Sequence, residues 1–375
     1  MFTYSVSLPP EVSDQELLYR RMRIPFGRRS VAGYITRVYR QKPSYPVKTI
    51  TRLYDDRLTY AQGTFAEWIA ETMQGGLGFT LRLFRGHTGG SDEEHTRLKP
   101  GRTSERASAI GSEKDRWVAL KKIIRQARGA LCHSLIIVPE VWMIAEIQNK
   151  LQRGFGSVIP YSADMPRAAQ KVAEEAVAGS EPIIVIGTQK ALFLPFRQLG
   201  AVIVEQAYYS THKLWDQYPR LDNRRGAEVL AAIHGAPCIY AGSLPSVALW
   251  HAVEQHAVTS LLHVPQEPKF RWYKFSLDDR RRRKRIPEDA ARDIRKKHAQ
   301  GKRLLFIYNR EDRPPKTSLQ KGQYSEQTIA RTLQSILNIS SLPHVTAALR
   351  HEAGGSVEQL LQESNVLLGT SALFI

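Results

Sequence analysis

Residues Pro182–Lys213 read PIIVIGTQKALFLPFRQLGAVIVEQAYYSTHK. Two short apolar runs within this stretch, Ile183–Ile186 and Ala201–Val204, are rich in Val and Ile and bounded by Gly, Pro or polar residues. Runs of that length and composition are buried strands rather than helices. Each gives way to polar residues, Gly187-Thr188-Gln189 after the first and Glu205-Gln206 after the second. Ligands of open α/β sheets bind beyond the carboxyl ends of the strands, so these two corners are where a site is expected.

The same alternation runs outward in both directions. An amphipathic helix over Lys114–Arg128, a strand over Leu135–Val138 and helices over 145–151 and 165–177 precede the stretch. A helix over Gly226–His234 and a strand over Cys238–Ala241 follow it, closing on Gly242-Ser243-Leu244-Pro245. Strands alternating with helices predict a parallel, doubly wound lobe over 112–260. A second, shorter α/β lobe is expected over 261–375. It holds a strand-like stretch at 270–275, six cations at Arg280–Arg285, a helix over Pro287–Ala299 and a strand over Leu304–Tyr308. A helix over Glu326–Leu337 and a strand over Val366–Leu368 before Gly369-Thr370 complete it. Between 85 and 111, Gly, Ser, Thr and charges dominate without periodicity, which predicts a flexible linker.

Residues 1–84 read as a small β-rich domain ending in a helix over Gln62–Met73. Between Leu17 and Tyr54 there are ten Lys or Arg and no Asp or Glu, with Tyr19, Phe26, Tyr34, Tyr39 and Tyr45 interleaved. Cations hold phosphates and rings stack bases, so this composition suits a nucleic-acid end-binder. Each ring taken singly reads better as a core residue of a small barrel.

The bulk charge agrees. A formal net charge of +18 over 375 residues implies a polyanionic partner, with nucleic acid ahead of an anionic membrane face. No apolar run approaches the roughly 18 residues of a membrane span. The N-terminus has no basic-then-apolar signal pattern, which predicts a cytoplasmic protein. Two cysteines, Cys132 and Cys238, could pair but in a reducing compartment are expected as buried thiols. Without a CxxC pair a thiolate zinc site lacks ligands.

Several segments together resemble the primosomal protein N′ (PriA) family of superfamily 2 helicases. Arg23-Ile24-Pro25-Phe26-Gly27-Arg28 followed by Gly33-Tyr34-Ile35 is similar to the family's DNA 3′-end-binding domain. Ile136-Ile137-Val138-Pro139-Glu140-Val141 resembles its VPEI segment, and Val185–Phe196 its IGTRSALFxPF. Leu199–Val204 matches the strand before its DEEH box. Leu305–Arg310 and Val366–Thr370 resemble LLFLNRR and ILVGTQ of its second lobe. The resemblance implies a β-rich DNA-binding domain followed by two RecA-like parallel-sheet lobes, the second incomplete.

The departures concern chemistry. No GxxxxGK[ST] phosphate loop occurs, and the equivalent place reads Gly111-Ser112-Glu113-Lys114-Asp115. Gly111, Ser112 and Lys114 are therefore only remnant nucleotide-binding candidates, beside carboxylates that repel a triphosphate. The DEEH box is matched by Val204-Glu205-Gln206-Ala207, which leaves Glu205 without the aspartate that would hold Mg²⁺. Asp92-Glu93-Glu94-His95 follows no apolar strand and reads as coincidence. The GSATP corner becomes Gly242-Ser243-Leu244-Pro245, the zinc-module position is cysteine-free, and the later arginine-finger motif is not met before Ile375.

The expectation is thus a helicase-derived DNA-binding protein of replication restart, without ATPase activity, nucleotide, Mg²⁺ or zinc. Its expected DNA contacts are Arg20, Arg21, Arg23, Arg28, Arg29, Tyr34 and Arg37, and in the lobe Thr188, Gln189, Lys190, Lys213 and Arg224. The resemblance places the lobe residues toward DNA; exposed loop polarity explains them equally well. Its partners would be forked or 3′-ended DNA and primosome proteins, with no membrane. The alternatives are a working ATP-dependent 3′→5′ helicase, and a protein-interaction module or gene remnant.

Overall fold

A computed structural model describes residues 2–6, 12–41, 44–84, 104–213, 219–262, 286–307, 326–338, 344–345 and 366–369. The chain divides into two compact units, Met1–Gln266 and Glu267–Ile375.

The first unit begins with strand β1 (Tyr4–Ser5), a short helix α1 (Asp14–Leu17) and the antiparallel hairpin β2 (Arg20–Phe26) and β3 (Arg29–Tyr34). The turn needs Gly27, whose φ of +58° is left-handed. Strand β4 (Lys48–Thr49) pairs with β1, and β5 (Arg52–Arg57) pairs with β2 to complete a three-stranded sheet. Helices α2 (Tyr60–Thr72) and α3 (Leu77–Thr80) follow. Thr59 and Gln62 form a reciprocal capping box at the start of α2, each side chain accepting from the other's backbone N–H at 3.0 Å.

The parallel lobe contains β6 (Arg106–Ile110), α4 (Glu113–Gly129), β7 (His133–Ile137), α5 (Trp142–Gln152), β8 (Val158–Tyr161), α6 (Arg167–Ala178) and β9 (Ile184–Gly187). It continues through β10 (Leu199–Val204), α7 (Asn223–His234), β11 (Cys238–Gly242), α8 (Val247–Glu254) and β12 (Thr259–Ser260). The strands order as β12-β6-β11-β10-β7-β9-β8, every pairing parallel. The registers Ile137↔Val204, Val204↔Tyr240 and Gly242↔Ile110 bring the carboxyl ends of β7, β10, β11 and β6 to one rim.

Two expectations need correction. The linker over 85–111 does not extend to 111, because Arg106–Ile110 is an interior strand of the sheet with Ala107, Ala109 and Ile110 buried. Its small side chains hide the strand pattern, since Ala and Ser carry little β signal; residues 85–103 lie outside the described residues. Strand β8, at the sheet edge, carries Pro160, and Pro in an apolar run argues against a strand unless it lies at an edge. The lobe also extends past 260, where Leu262 packs on the core around α4.

Residues 1–84 share a core with the lobe. Phe65 and Phe84 meet Phe193 at ring-centroid distances of 6.3 and 5.1 Å, and the Gln62 Nε2 donates to the Phe193 carbonyl at 3.0 Å. One continuous apolar cluster runs from Tyr19, Leu58 and Ile69 through Phe193 and Phe196 to Val202 in the sheet.

In the second unit, β13 (Leu304–Ile307), β15 (Val366–Gly369) and β14 (His344–Val345) form a parallel sheet in the order β13-β15-β14. Helices α9 (Glu288–Ala299) and α10 (Glu326–Leu337) accompany it, with Leu333, Leu337 and Val366 at the core. The stretches 270–275 and Arg280–Arg285 lie outside the described residues. No helix among the described residues is long and apolar enough to cross a membrane.

Gly63, inside α2, is required by the buried Tyr19 ring. A Cβ there would stand 2.1 Å from the ring, and the ring is anchored by its Oη donating to Glu67 Oε1 at 3.0 Å. Gly63→Ala is expected to lower the urea-unfolding free energy by about 1–3 kcal/mol despite alanine's higher helix propensity. Gly129→Ala, with nothing within 4 Å of the new Cβ, is expected to be neutral or stabilising.

Candidate functional site

The N-terminal domain holds a cleft of about 1920 Å³, with Arg167 the one lobe residue among its lining residues. Arg21, Arg37, Arg40, Arg82 and Arg167 line it, with Asp56 as the single carboxylate among its lining residues. Aromatic rings stand between these cations, including Tyr34, Tyr39, Tyr45 and Phe79. Tyr39, Tyr45 and Phe79 are 66%, 56% and 57% exposed, too open for core residues and well placed to stack on planar groups.

The predicted N-terminal contacts separate into three groups. Arg21, Tyr34 and Arg37 line the cleft. Arg21 is held over the Tyr54 ring at 4.1 Å and paired with Asp56 at 2.7 Å, so its charge is partly spent on orientation. Arg23, Arg28 and Arg29 are exposed on the β2–β3 hairpin and are not among the cleft-lining residues. Arg20 donates to the Tyr54 carbonyl at 2.6 Å and pairs with Asp55 at 2.9 Å; its role is to fasten β2 to β5.

Phe79, Arg82 and Arg167 are cleft residues that sequence reasoning missed. Phe79 and Arg82 lie beyond the basic run that stops at Tyr54. Arg167 opens α6 in the lobe and reaches the cleft only through tertiary packing.

A second cavity, of about 470 Å³, lies at the carboxyl end of β9 and is lined by Thr188, Gln189, Lys190, Asn223 and again Arg82. Lys190 Nζ donates to Gln170 Oε1 at 3.3 Å, and Gln189 Nε2 to the Leu221 carbonyl at 3.5 Å. Lys213 pairs backbone to backbone with Asp222 and is not among this cavity's lining residues. Arg224 is also absent from the lining. It grips Asp222 with two bonds, of 2.8 and 2.7 Å, and donates to the Ala207 carbonyl at 3.1 Å. That arginine braces the turn after β10.

The remnant nucleotide candidates sit at the ends of β6, β10 and β11. Only Gly111 and Ser112 separate β6 from α4. The Gly111 N–H donates to the Gly242 carbonyl at 3.1 Å, and the Ser112 Oγ caps α4 by accepting from the Asp115 N–H. The same Ser112 Oγ donates to Asp115 Oδ2 at 2.6 Å. Glu113 in the first turn is paired with Lys150, which holds its carboxyl below the ordinary carboxylate range. Lys114 is exposed.

Below the turn, Arg116 and Glu205 form a buried ion pair at 2.9 Å, their side chains 4% and 2% exposed. Arg116 also donates to the Gly111 carbonyl at 3.3 Å, which links the ends of β6 and β10. Burial pushes the Glu205 carboxyl above its ordinary range while the Arg116 guanidinium pulls it back down. His212, fully buried, bonds the Glu205 carbonyl through Nε2 at 2.9 Å. Among the described residues no group of three or more His, Cys, Asp or Glu is placed to hold a metal ion.

Two stability measurements follow. Arg116→Met or Glu205→Gln strands the other partner in the interior, with an expected loss of about 3–5 kcal/mol, whereas Arg116→Met with Glu205→Met is expected to recover most of it. Burial lowers His212 from 6.5 to about 4. The folded protein keeps this ring neutral, so its contribution is complete above the unfolded value and lost as pH falls from about 6.5 towards 4. A His212→Gln variant is expected to flatten that part of the pH–stability curve.

The family model for the PriA 3′DNA-binding domain (3′BD) matches residues 1–84. Replication restart protein PriA of Synechocystis sp. is 26% identical over 174 residues, 46% of this chain and 20% of that protein. The Bacillus subtilis PriA is 23% identical over 237 residues, 63% of this chain and 26% of that protein. The Borreliella burgdorferi PriA is 21% identical over 263 residues, 62% of this chain and 40% of that protein. The matched stretches therefore span 20% to 40% of these relatives. Among solved structures, RecG bound to a three-way DNA junction aligns over 84% of this chain and 36% of its own, with a TM-score of 0.40 and 13% identity. The chain is PriA-like, and the likeness at residues 1–84 is to the PriA 3′DNA-binding domain.

Proposed function

We propose that this chain is a DNA-binding, PriA-like protein of replication restart that recognises 3′-ended strands, including those at forks, without hydrolysing ATP. The observation that carries the DNA part is the arginine- and tyrosine-lined cleft within a domain that matches the PriA 3′DNA-binding model. Cations on phosphates with exposed rings on bases are what single-strand binding needs. Primosome or other restart proteins are the partners this reading expects.

The absence of ATPase activity rests on a poor fit between these residues and a nucleotide. A phosphate-cradling loop needs several residues of backbone turned toward the anion, and Gly111-Ser112 leaves no such length. The α4 N-terminus, where a phosphate would gain from the helix dipole, already faces Glu113 and Asp115. At the end of β10, Arg116 occupies the carboxylate that would otherwise face Mg²⁺. No step through ATP or Mg²⁺ is built on these residues.

Fluorescence anisotropy with 3′-hydroxyl single strands and forks tests the DNA part. Binding is expected to weaken with salt at a log–log slope of about −0.7 per phosphate neutralised on single strands. Tyr39→Ala or Phe79→Ala is expected to lose about 1–3 kcal/mol of binding if each ring stacks a base. Salt-insensitive binding would overturn this part. DNA-stimulated ATP hydrolysis abolished by Lys114→Ala would overturn the other part and establish ATP-driven unwinding instead.

A further inference from the structure

The outer face of α4 carries a row of cations. Wound at 3.6 residues per turn, the helix brings Lys114, Lys121, Lys122, Arg125 and Arg128 into one arc of about 120°, with Val118 among them. Its buried residues, Trp117, Leu120, Ile124 and Ala127, take the other side and pack on the sheet. Elsewhere in the lobe, helix cations are neutralised locally. Lys150 of α5 pairs with Glu113 and Glu146, Arg167 and Lys171 of α6 with Glu174 and Glu175, and Arg224 and Arg225 of α7 with Asp222 and Glu228. Of the α4 cations, only Arg116, on the buried side, is in an ion pair among the described residues. The helix's two carboxylates are already engaged, Glu113 by Lys150 and Asp115 by the Ser112 Oγ. From Arg116 to Val138 the chain has no Asp or Glu. Arg125 is also held in place, its guanidinium over the Phe155 ring at 5.5 Å from the centroid, which orients the group without cancelling its charge.

This stripe and the N-terminal domain are on opposite faces of the sheet. Side chains alternate along each central strand. Leu135, Ile137, Val202 and Val204 join the core shared with residues 1–84, whereas Ile136, Val138, Ala201 and Ile203 join the core under α4. Lys114 and Arg128 are about 21 Å apart along the helix axis, a length that meets several successive phosphates of one duplex strand. The stripe has no aromatic ring, so it lacks the stacking platform of single-strand binding. Val118, 66% exposed, is its one exposed apolar side chain, too little apolar surface to enter a bilayer.

We propose that the outer face of α4 is a separate nucleic-acid site, which holds the phosphate backbone of a DNA duplex through Lys114, Lys121, Lys122, Arg125 and Arg128. Charge without rings or apolar area grips the backbone and reads no sequence. The site does not rest on end binding in the cleft and goes beyond it: one chain holds a strand end on one face of the sheet and a duplex on the other.

The test is anisotropy of the whole chain with a closed DNA dumbbell, a duplex sealed by hairpin loops that has no 3′ end. Its log–log salt slope is expected to be about −4, at about −0.9 for each phosphate neutralised. A triple variant, Lys122→Ala with Arg125→Ala and Arg128→Ala, is expected to flatten that slope by about 3 and to weaken dumbbell binding at least about tenfold. Binding of 3′-hydroxyl single strands is expected to stay unchanged. The charge-conserving triple, Lys122→Arg with Arg125→Lys and Arg128→Lys, is expected to keep the dumbbell affinity; all three positions are exposed. No dumbbell binding, or dumbbell binding that the alanine variant leaves intact, would overturn the site. Loss of binding to phosphatidylserine vesicles in the alanine variant, with the dumbbell still bound, would overturn it in favour of a membrane face. Because the dumbbell has no 3′ end, none of these outcomes bears on end binding in the cleft.

Discussion

The insertion of α2 against the β9–β10 connection is the contact on which the rest of the first unit depends. Phe65, Phe84 and Phe193 meet there, and Gln62 serves twice, capping its own helix and donating to the Phe193 carbonyl. Burying large aromatic rings across this seam gives the N-terminal domain a fixed seat on the lobe. Without it, Arg167 would not join Phe79 and Arg82 at the cleft. Tyr19 completes the seat from the β side. Its φ of +59° and its close approach to Gly63 are strains that this packing sustains.

The rim of the parallel sheet shows a different economy of charge. Its carboxyl ends carry Arg116, Glu205, His212, Asp222 and Arg224, and these bond largely to one another or to the backbone of neighbouring strand ends. A buried pair such as Arg116–Glu205 adds little net stability compared with apolar residues of similar volume, yet removing one partner is severe. Such a pair locks the turns after β6 and β10 together. The corner at β9 is different, because Thr188, Gln189 and Lys190 face a cavity and Asn223 keeps an acceptor without a partner among the described residues. Polar groups at one corner are closed on themselves, and at the other they face space.

Much of the architecture was legible from residue order. Ile183–Ile186, Ala201–Val204 and Leu135–Val138 are strands because their β-branched runs are buried on both faces, and the helices between them carry apolar residues at helical spacing. Arg106–Ile110 was not legible, since a strand built from Ala and Ser beside a charged segment looks like a loop until neighbours cover it. The basic, aromatic composition of residues 17–54 coincides with part of the lining of the N-terminal cleft, but composition does not separate the arginines by their partners. Arg20 and Arg224 carry the same charge as Arg37, and only their partners reveal that they hold backbone in place.

The sequence by itself determined the strand and helix periodicity, the cationic and aromatic stock of the N-terminal domain, and that Gly111-Ser112-Glu113-Lys114-Asp115 and Glu205-Gln206 stand at the sheet rim. Those are local properties, carried by side-chain type and spacing. Tertiary structure alone decided which charges remain available to a ligand, because pairing depends on residues far apart in the chain, as Arg116 with Glu205 and Gln62 with Phe193 show. It also decided that residues 1–84 and the lobe form one body with a shared aromatic core. Apolar surface is buried against whatever complementary surface folding brings near, and no run of residues names its partner in advance.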